Sequence, residues 1–188
     1  MNFIRKDAFH FFYETKEKWD VILTSPPARP PGFIGQGDAS YVSLLGLLMK
    51  LARRCLNRGG YFVLVIEEVP GYPVMEPFAP YAKASGMRLL ATYRWLHPPT
   101  GFSWVVIWGN GRRARLRREY GQEWLIPYTE IDATYGYYEF PAPLVEMILN
   151  LTIPKGGSVL DPFCGKATAL KLQEPKYTVT GVDCGPVS

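Results

Sequence analysis

The chain has 188 residues, 47% of them apolar and 20% charged, the composition of one globular domain whose core needs neither disulfides nor metal. Three cysteines, Cys55, Cys164 and Cys184, include no CxxC pair, which argues against a disulfide framework or a structural zinc site and suits a reducing cytoplasm. A formal charge of +4 permits a polyanionic partner without demanding one; the opening MNFIRKDAFHFF lacks the apolar core of a signal peptide, and the longest apolar stretch, Tyr41 to Leu51, is too short to span a bilayer.

In chain order, residues Asn2 to Lys6 form a short strand and Ala8 to Thr15 a helix. Trp19 to Thr24 (WDVILT) is a continuous apolar run, a buried strand that stops at Ser25-Pro26-Pro27. The Pro- and Gly-rich stretch Ala28 to Ser40 is a loop. A helix over Tyr41 to Leu56 places Leu44, Leu45, Leu48, Leu51 and Leu56 near one face and stops at Gly59-Gly60. Tyr61 to Ile66 is a second buried strand, followed by a helix over Val74 to Ser85 that ends at Gly86. Met87 to Leu96 and Ser103 to Trp108 flank the turn His97-Pro98-Pro99-Thr100-Gly101 and read as an antiparallel pair. Gly109 to Tyr138 has the least regular pattern and carries RRARLRR at Arg112 to Arg118. A last amphipathic helix, Pro141 to Leu151, has Leu144, Met147, Ile148 and Leu151 on one stripe; the short strands Ser158 to Leu160 and Tyr177 to Val182 each lead into an aspartate. Strands alternating with helices define an α/β domain, here one domain over residues 1–188.

Two strand ends carry chemistry. In VLDPFCGKAT, Asp161 ends a strand, a turn with Gly165 follows, and a helix begins near Thr168. In a doubly wound sheet the ligand crevice lies outside the carboxyl ends of the strands, where such a turn offers backbone N–H groups. In VTGVD a further strand ends at Asp183, where a carboxylate can accept both hydroxyls of a ribose. The structural alternatives are a helix cap for Asp161 and an ordinary loop acid for Asp183. The second signal is LTSPP, Leu23 to Pro27. Pro26 and Pro27 have no N–H to continue a ladder, so they fix a rigid exit and aim Ser25 and nearby carbonyls into the crevice. Such acceptors suit an amino group that must be oriented and must lose a proton, although a plain Pro-rich strand terminator has the same appearance.

Together these residues resemble the amino-methyltransferase family that modifies adenine N6 or cytosine N4 in DNA. The family's DPFxGxGT cofactor motif is matched by Asp161-Pro162-Phe163-Cys164-Gly165 with Thr168, and its catalytic PP motif by Thr24-Ser25-Pro26-Pro27. Phe140-Pro141 and the helix after it look like the segment leading into the cofactor strand. The catalytic motif precedes the cofactor motif, as in the class β permutation, and IRKDAF resembles the segment that sets Asp7 and Ala8 beside the cofactor's adenine. The resemblance implies a Rossmann-like, doubly wound mixed sheet of the S-adenosylmethionine-dependent methyltransferase type, mostly parallel with an antiparallel hairpin. In it the strand after Lys176 rejoins the strand at residues 2–6. Three departures stand out: Ala28 replaces the aromatic after the PP motif, with Phe33 or Tyr41 as substitutes; Lys166-Ala167 replaces the second glycine of the cofactor turn; and the candidate target-recognition segment, 109–138, is short.

The implied function is transfer of a methyl group from S-adenosylmethionine to an exocyclic amino nitrogen, cytosine N4 ahead of adenine N6 because Ser25 follows Thr24 at the motif. The base would flip into the crevice at Ser25, Pro26 and Pro27. The Ser25 hydroxyl and Pro26 carbonyl would accept hydrogen bonds from the amino group. Arg112, Arg113, Arg115, Arg117 and Arg118 would contact phosphates of double-stranded DNA, or else form a solvated face. A short recognition segment makes a homodimer one way to cover more DNA. An RNA amino-methyltransferase, and a non-turnover nucleic-acid-binding protein or subunit, are the alternative readings. His10 and His97 lack partners at metal-ligand spacing, and Cys164 reads as a packing residue.

Overall fold

The computed structural model describes residues 1–26, 39–67, 74–97, 101–118, 120–126, 131–132, 137–138 and 140–184. The expected turn at Pro98–Thr100, together with Pro27, Ala28 and Phe33, lies outside them. No helix among the described residues is long and apolar enough to cross a membrane.

The strands are β1 (Asn2–Arg5), β2 (Trp19–Thr24), β3 (Leu56–Glu67), β4 (Arg88–His97), β5 (Gly101–Gly109), β6 (Glu123–Leu125), the two-residue pair β7 (Ile131–Asp132) and β8 (Tyr137–Tyr138), β9 (Gly157–Asp161) and β10 (Tyr177–Asp183). The helices are α1 (Ala8–Glu14), α2 (Ala39–Arg54), α3 (Met75–Ala84), α4 (Ala142–Thr152) and α5 (Thr168–Lys171). One eight-stranded sheet has the order β1-β10-β9-β2-β3-β5-β4-β6. The β1–β10, β10–β9, β9–β2 and β2–β3 pairs are parallel, whereas β5 runs antiparallel to both β3 and β4. From β9 the chain works outward through β10, and β1 lies beyond it; from β2 it works the other way. The strand order therefore reverses between β9 and β2, which is where a doubly wound sheet opens a ligand crevice.

Each face of the sheet buries its own core. Phe12, Leu45, Leu48, Met49, Phe62 and Phe78 belong to the face covered by α1, α2 and α3. Leu144, Ile148, Leu149, Val159, Val63 and Ile107 belong to the face covered by α4 and α5. A fully buried Leu or Phe contributes about 1.5–3 kcal/mol relative to exposure, so these two layers fix the strand register and, with it, the strand ends.

Three sequence expectations shift. Helix α2 stops at Arg54, so Leu56 opens β3, and Leu44 is 36% exposed rather than part of the buried stripe. Gly59-Gly60 is therefore not a helix stop. It lies within β3, where a Cβ on Gly60 would sit 2.9 Å from the Asp20 carbonyl and 3.2 Å from that of Trp19; the pair permits the irregular stretch of β3 between Leu56 and Tyr61 to pass close to Trp19–Val21 of β2. Third, the irregular stretch contains β6, parallel to β4, with Trp124 buried and stacked on Tyr93 at 4.3 Å between centroids.

Candidate active site

Register brings the two motifs side by side. Val21 and Ile22 of β2 pair with Val159 and Leu160 of β9, so Thr24 and Asp161 stand at neighbouring carboxyl ends. Asp183 ends the next strand, level with Arg5 of β1. Two residues, Lys6 and Asp7, separate β1 from α1, and Lys6 N–H bonds the Asp183 carbonyl at 3.1 Å, which holds Asp7 and Ala8 at the same end. Asp7 Oδ1 accepts from the His10 N–H at 2.9 Å and caps α1, while Ala8 is buried. Helix α4, capped by Pro141, runs away from that end to reach the start of β9, so Phe140 and Pro141 lie at the crevice side. Pro141 and Pro162 are buried and Phe140 half-buried.

The cofactor turn is pinned to β10. Cys164 N–H bonds the Val182 carbonyl at 3.1 Å, and Gly165 N–H donates to Asp183 Oδ2 at 2.9 Å. Asp161 Oδ1 accepts from the Phe163 N–H at 3.0 Å, a local turn rather than a helix cap. Phe163 itself packs edge-to-face on Phe9, centroids 6.2 Å apart. Helix α5 has only four residues, too short for a strong dipole, and the N–H groups of Phe163, Cys164, Gly165 and Ala167 are all bonded within the protein, so what the turn offers a ligand is close approach of its backbone at Gly165. Ala167 holds φ 53, a left-handed backbone that costs a residue with a Cβ about 1–2 kcal/mol; the family's glycine would adopt it freely. Of Thr168 the backbone alone is described.

Burial pushes the Asp161 carboxyl up to about 7, with the Phe163 N–H opposing and the negative charge of Asp183 adding to the rise. The Cys164 thiol is also pushed well up, first by burial and then by Asp161 and Asp183. It is a packing group, not a nucleophile.

Beside the other motif, Ser25 is exposed and Pro26 buried. The Thr24 hydroxyl and the Tyr41 hydroxyl, at the first turn of α2, are both buried without a hydrogen-bond partner among the described residues. Buried polar groups are nearly always paired, which makes these two hydroxyls exceptions; of the two, Thr24 ends β2 beside the crevice. Tyr41 had stood out in the sequence only as an aromatic face. Its hydroxyl, raised in pKa by burial, is the part without a partner.

The arginine segment is elsewhere. Gly109 pairs with Tyr61 at the foot of β3 and with Arg88 at the start of β4, so Arg112 to Arg118 follow from the end of the sheet opposite Thr24 and Asp161. The structure brings together every described motif residue around the crevice and leaves Arg112, Arg113, Arg115, Arg117 and Arg118 outside it.

No protein-family model and no curated protein matches the chain. Solved structures do. A candidate DNA modification methylase of Thermus thermophilus, complexed with S-adenosyl-L-methionine, superposes with TM-score 0.77 at 20% identity over 98% of this chain and 88% of its own. The PvuII DNA methyltransferase, cytosine-N4-specific, gives 0.74 at 19% identity over 98% and 82%. M1.HpyAVI in complex with S-adenosylmethionine gives 0.73 at 17% identity over 98% and 93%. The chain thus has the mixed-sheet fold of the S-adenosylmethionine-dependent DNA methyltransferases. It has that fold along nearly its whole length.

Proposed function

We propose that the protein is a DNA methyltransferase that transfers a methyl group from S-adenosylmethionine to an exocyclic amino nitrogen, cytosine N4 in preference to adenine N6. The observation that carries this reading is the juxtaposition of Asp161 and Thr24-Ser25-Pro26 at adjacent strand ends where the strand order reverses. The donor set fits the cofactor: Asp161 and Asp183 offer carboxyl groups to a cationic, ribose-bearing ligand at adjacent strand ends, and the turn at Phe163 to Gly165 offers close backbone approach. When bound, the cofactor supplies a methyl group already activated by its sulfonium.

The chain's own work is alignment. Pro26 fixes the direction in which β2 ends. The Ser25 hydroxyl and the Pro26 carbonyl accept hydrogen bonds from the target amino group, which orients its lone pair and stabilises the positive charge that grows on nitrogen. Asp183 keeps one oxygen on Gly165 N–H and thereby holds the turn in place.

Incubation with tritiated S-adenosylmethionine and duplex DNA or total RNA, followed by nucleoside analysis, tests the reading. Label in N4-methylcytosine from DNA, lost in Ser25→Ala and Asp161→Ala, is the expected result. Label in N6-methyladenine or in an RNA nucleoside would correct the substrate. Absence of label with cofactor binding intact by calorimetry would reject turnover.

A further inference from the structure

We infer that the arginine segment forms a second, non-catalytic nucleic-acid site: a groove at the far end of the sheet that holds the phosphodiester backbone away from the crevice. This goes beyond the reading of the crevice and holds whether or not methyl transfer occurs there.

The groove, about 980 Å³, lies along the start of β4. Arg88, Arg112, Arg115, Arg117 and Arg118 line it, and no carboxylate among the described residues does. Leu90, Leu116 and Tyr120 supply an apolar side. Arg117 also borders an adjoining hollow with Arg58 and Lys155. The carboxylate described in that hollow, Asp20, is already committed to Ser158 and Asn57. A chain whose total charge is only +4 therefore concentrates its cations here.

The segment is built rather than frayed. Asn110 N–H bonds the Gly60 carbonyl and Gly59 N–H the Asn110 carbonyl, both at 2.8 Å, and Arg117 N–H bonds the Leu151 carbonyl at 2.9 Å. Tyr61 Oη donates to the Arg115 carbonyl at 2.8 Å, and the Arg88 guanidinium donates to the Ala114 carbonyl. These bonds use the backbone of the segment, which leaves the side chains of Arg112, Arg115, Arg117 and Arg118 exposed and, among the described residues, without an ion pair. Guanidinium forks carried on an anchored backbone match phosphate geometry, and each phosphate contact releases a counterion.

Position sets the groove apart from the crevice, at the opposite end of the strands. Three strand residues separate the Thr24–Leu64 level from the Tyr61–Gly109 level, and three strand spacings separate β2 from β4; together these give roughly 15–20 Å. The groove therefore opens at the end of the sheet away from Thr24 and Asp161, and the nucleic-acid backbone it holds is a contact additional to any in the crevice.

The test is anisotropy of a labelled duplex of about 30 base pairs across the range of roughly 50 to 200 mM salt over which phosphate contacts are read. The wild type is compared with Arg112/Arg115/Arg117/Arg118→Gln and with the two half-sets, Arg112/Arg115→Gln and Arg117/Arg118→Gln. The fourfold variant is expected to lower the slope of log K against log salt by about 3–4, since each phosphate contact contributes about 0.9, and each half-set by about half of that. Calorimetric binding of S-adenosylmethionine should stay at the wild-type level, which separates this site from the crevice. An unchanged slope in a half-set or fourfold variant that still binds the cofactor would overturn the inference. So would a wild type that binds no duplex, or equal competition by polyglutamate of the same charge, which would indicate an acidic protein partner instead.

Discussion

Asp161 shows how far one side chain can be read from sequence. The motif places it at a strand end, and the structure agrees, but its protonation follows from burial at 4% exposure beside Asp183, which depends on long-range packing that no local pattern encodes. The sign is definite. Unfolded, the carboxyl titrates near about 3.9; folded, it holds its proton to about 7. Between those values the native state binds more protons, so stability falls as pH rises and is flat above the upper value. Asp161→Asn removes this dependence and keeps an acceptor for the Phe163 N–H. At a pH of about 8 the ligand-free variant is expected to be more stable than the wild type by roughly 2–4 kcal/mol, with the gap shrinking below about 1 kcal/mol near a pH of about 4.5. Urea midpoints across pH measure it, and a gap that does not change with pH would remove Asp161 as the titrating group. The orphaned hydroxyl of Tyr41 was legible only as an aromatic ring, because which buried polar atom lacks a partner is a property of the assembled site.

At the scale of elements, periodicity located β2, α4 and the antiparallel pair β4–β5 because each buries a continuous run or stripe. It missed β6, three residues held by pairing to β4 and by Trp124 on Tyr93, and it mistook Gly59-Gly60 for a helix stop. Glycine signals a backbone need without saying which one. Gly181 is a further case: it reads as part of VTGVD, yet a Cβ there would lie 2.6 Å from Cys164 Sγ. The absent side chain lets the cofactor turn dock on β10. Gly181→Ala should therefore push the turn outward, costing about 1–3 kcal/mol and weakening cofactor binding through displacement of Gly165 from Asp183. Cys164→Ala in the same chain removes the closest of these contacts and leaves the Cys164 Cβ and Met1 Cε positions at 3.2 Å. A double-mutant cycle should show recovery of more than about 1 kcal/mol, together with cofactor affinity; strictly additive losses would mean that the two residues do not share the contact.

For the whole molecule, the rigid sheet sets the crevice and the arginine groove at opposite ends with no shared side chain. Sites separated by more than about 7–10 Å without common partners act additively. A ligand at about 100 times its Kd stabilises the native state by about 2.7 kcal/mol, and in a domain of this length that corresponds to a rise in Tm of roughly 5–10 °C. Saturating S-adenosylmethionine and a duplex of about 30 base pairs should each raise Tm, and the gain owed to the groove should add to the cofactor gain. The fourfold arginine variant should lose only the part of the duplex gain owed to the groove and retain the full cofactor gain, while Asp161→Ala/Asp183→Ala should do the reverse. Differential scanning fluorimetry at low salt measures all of these combinations. A cofactor gain that shrank in the arginine variant would show the two ends of the sheet to be coupled, and the groove would then belong to the catalytic cycle rather than stand apart from it.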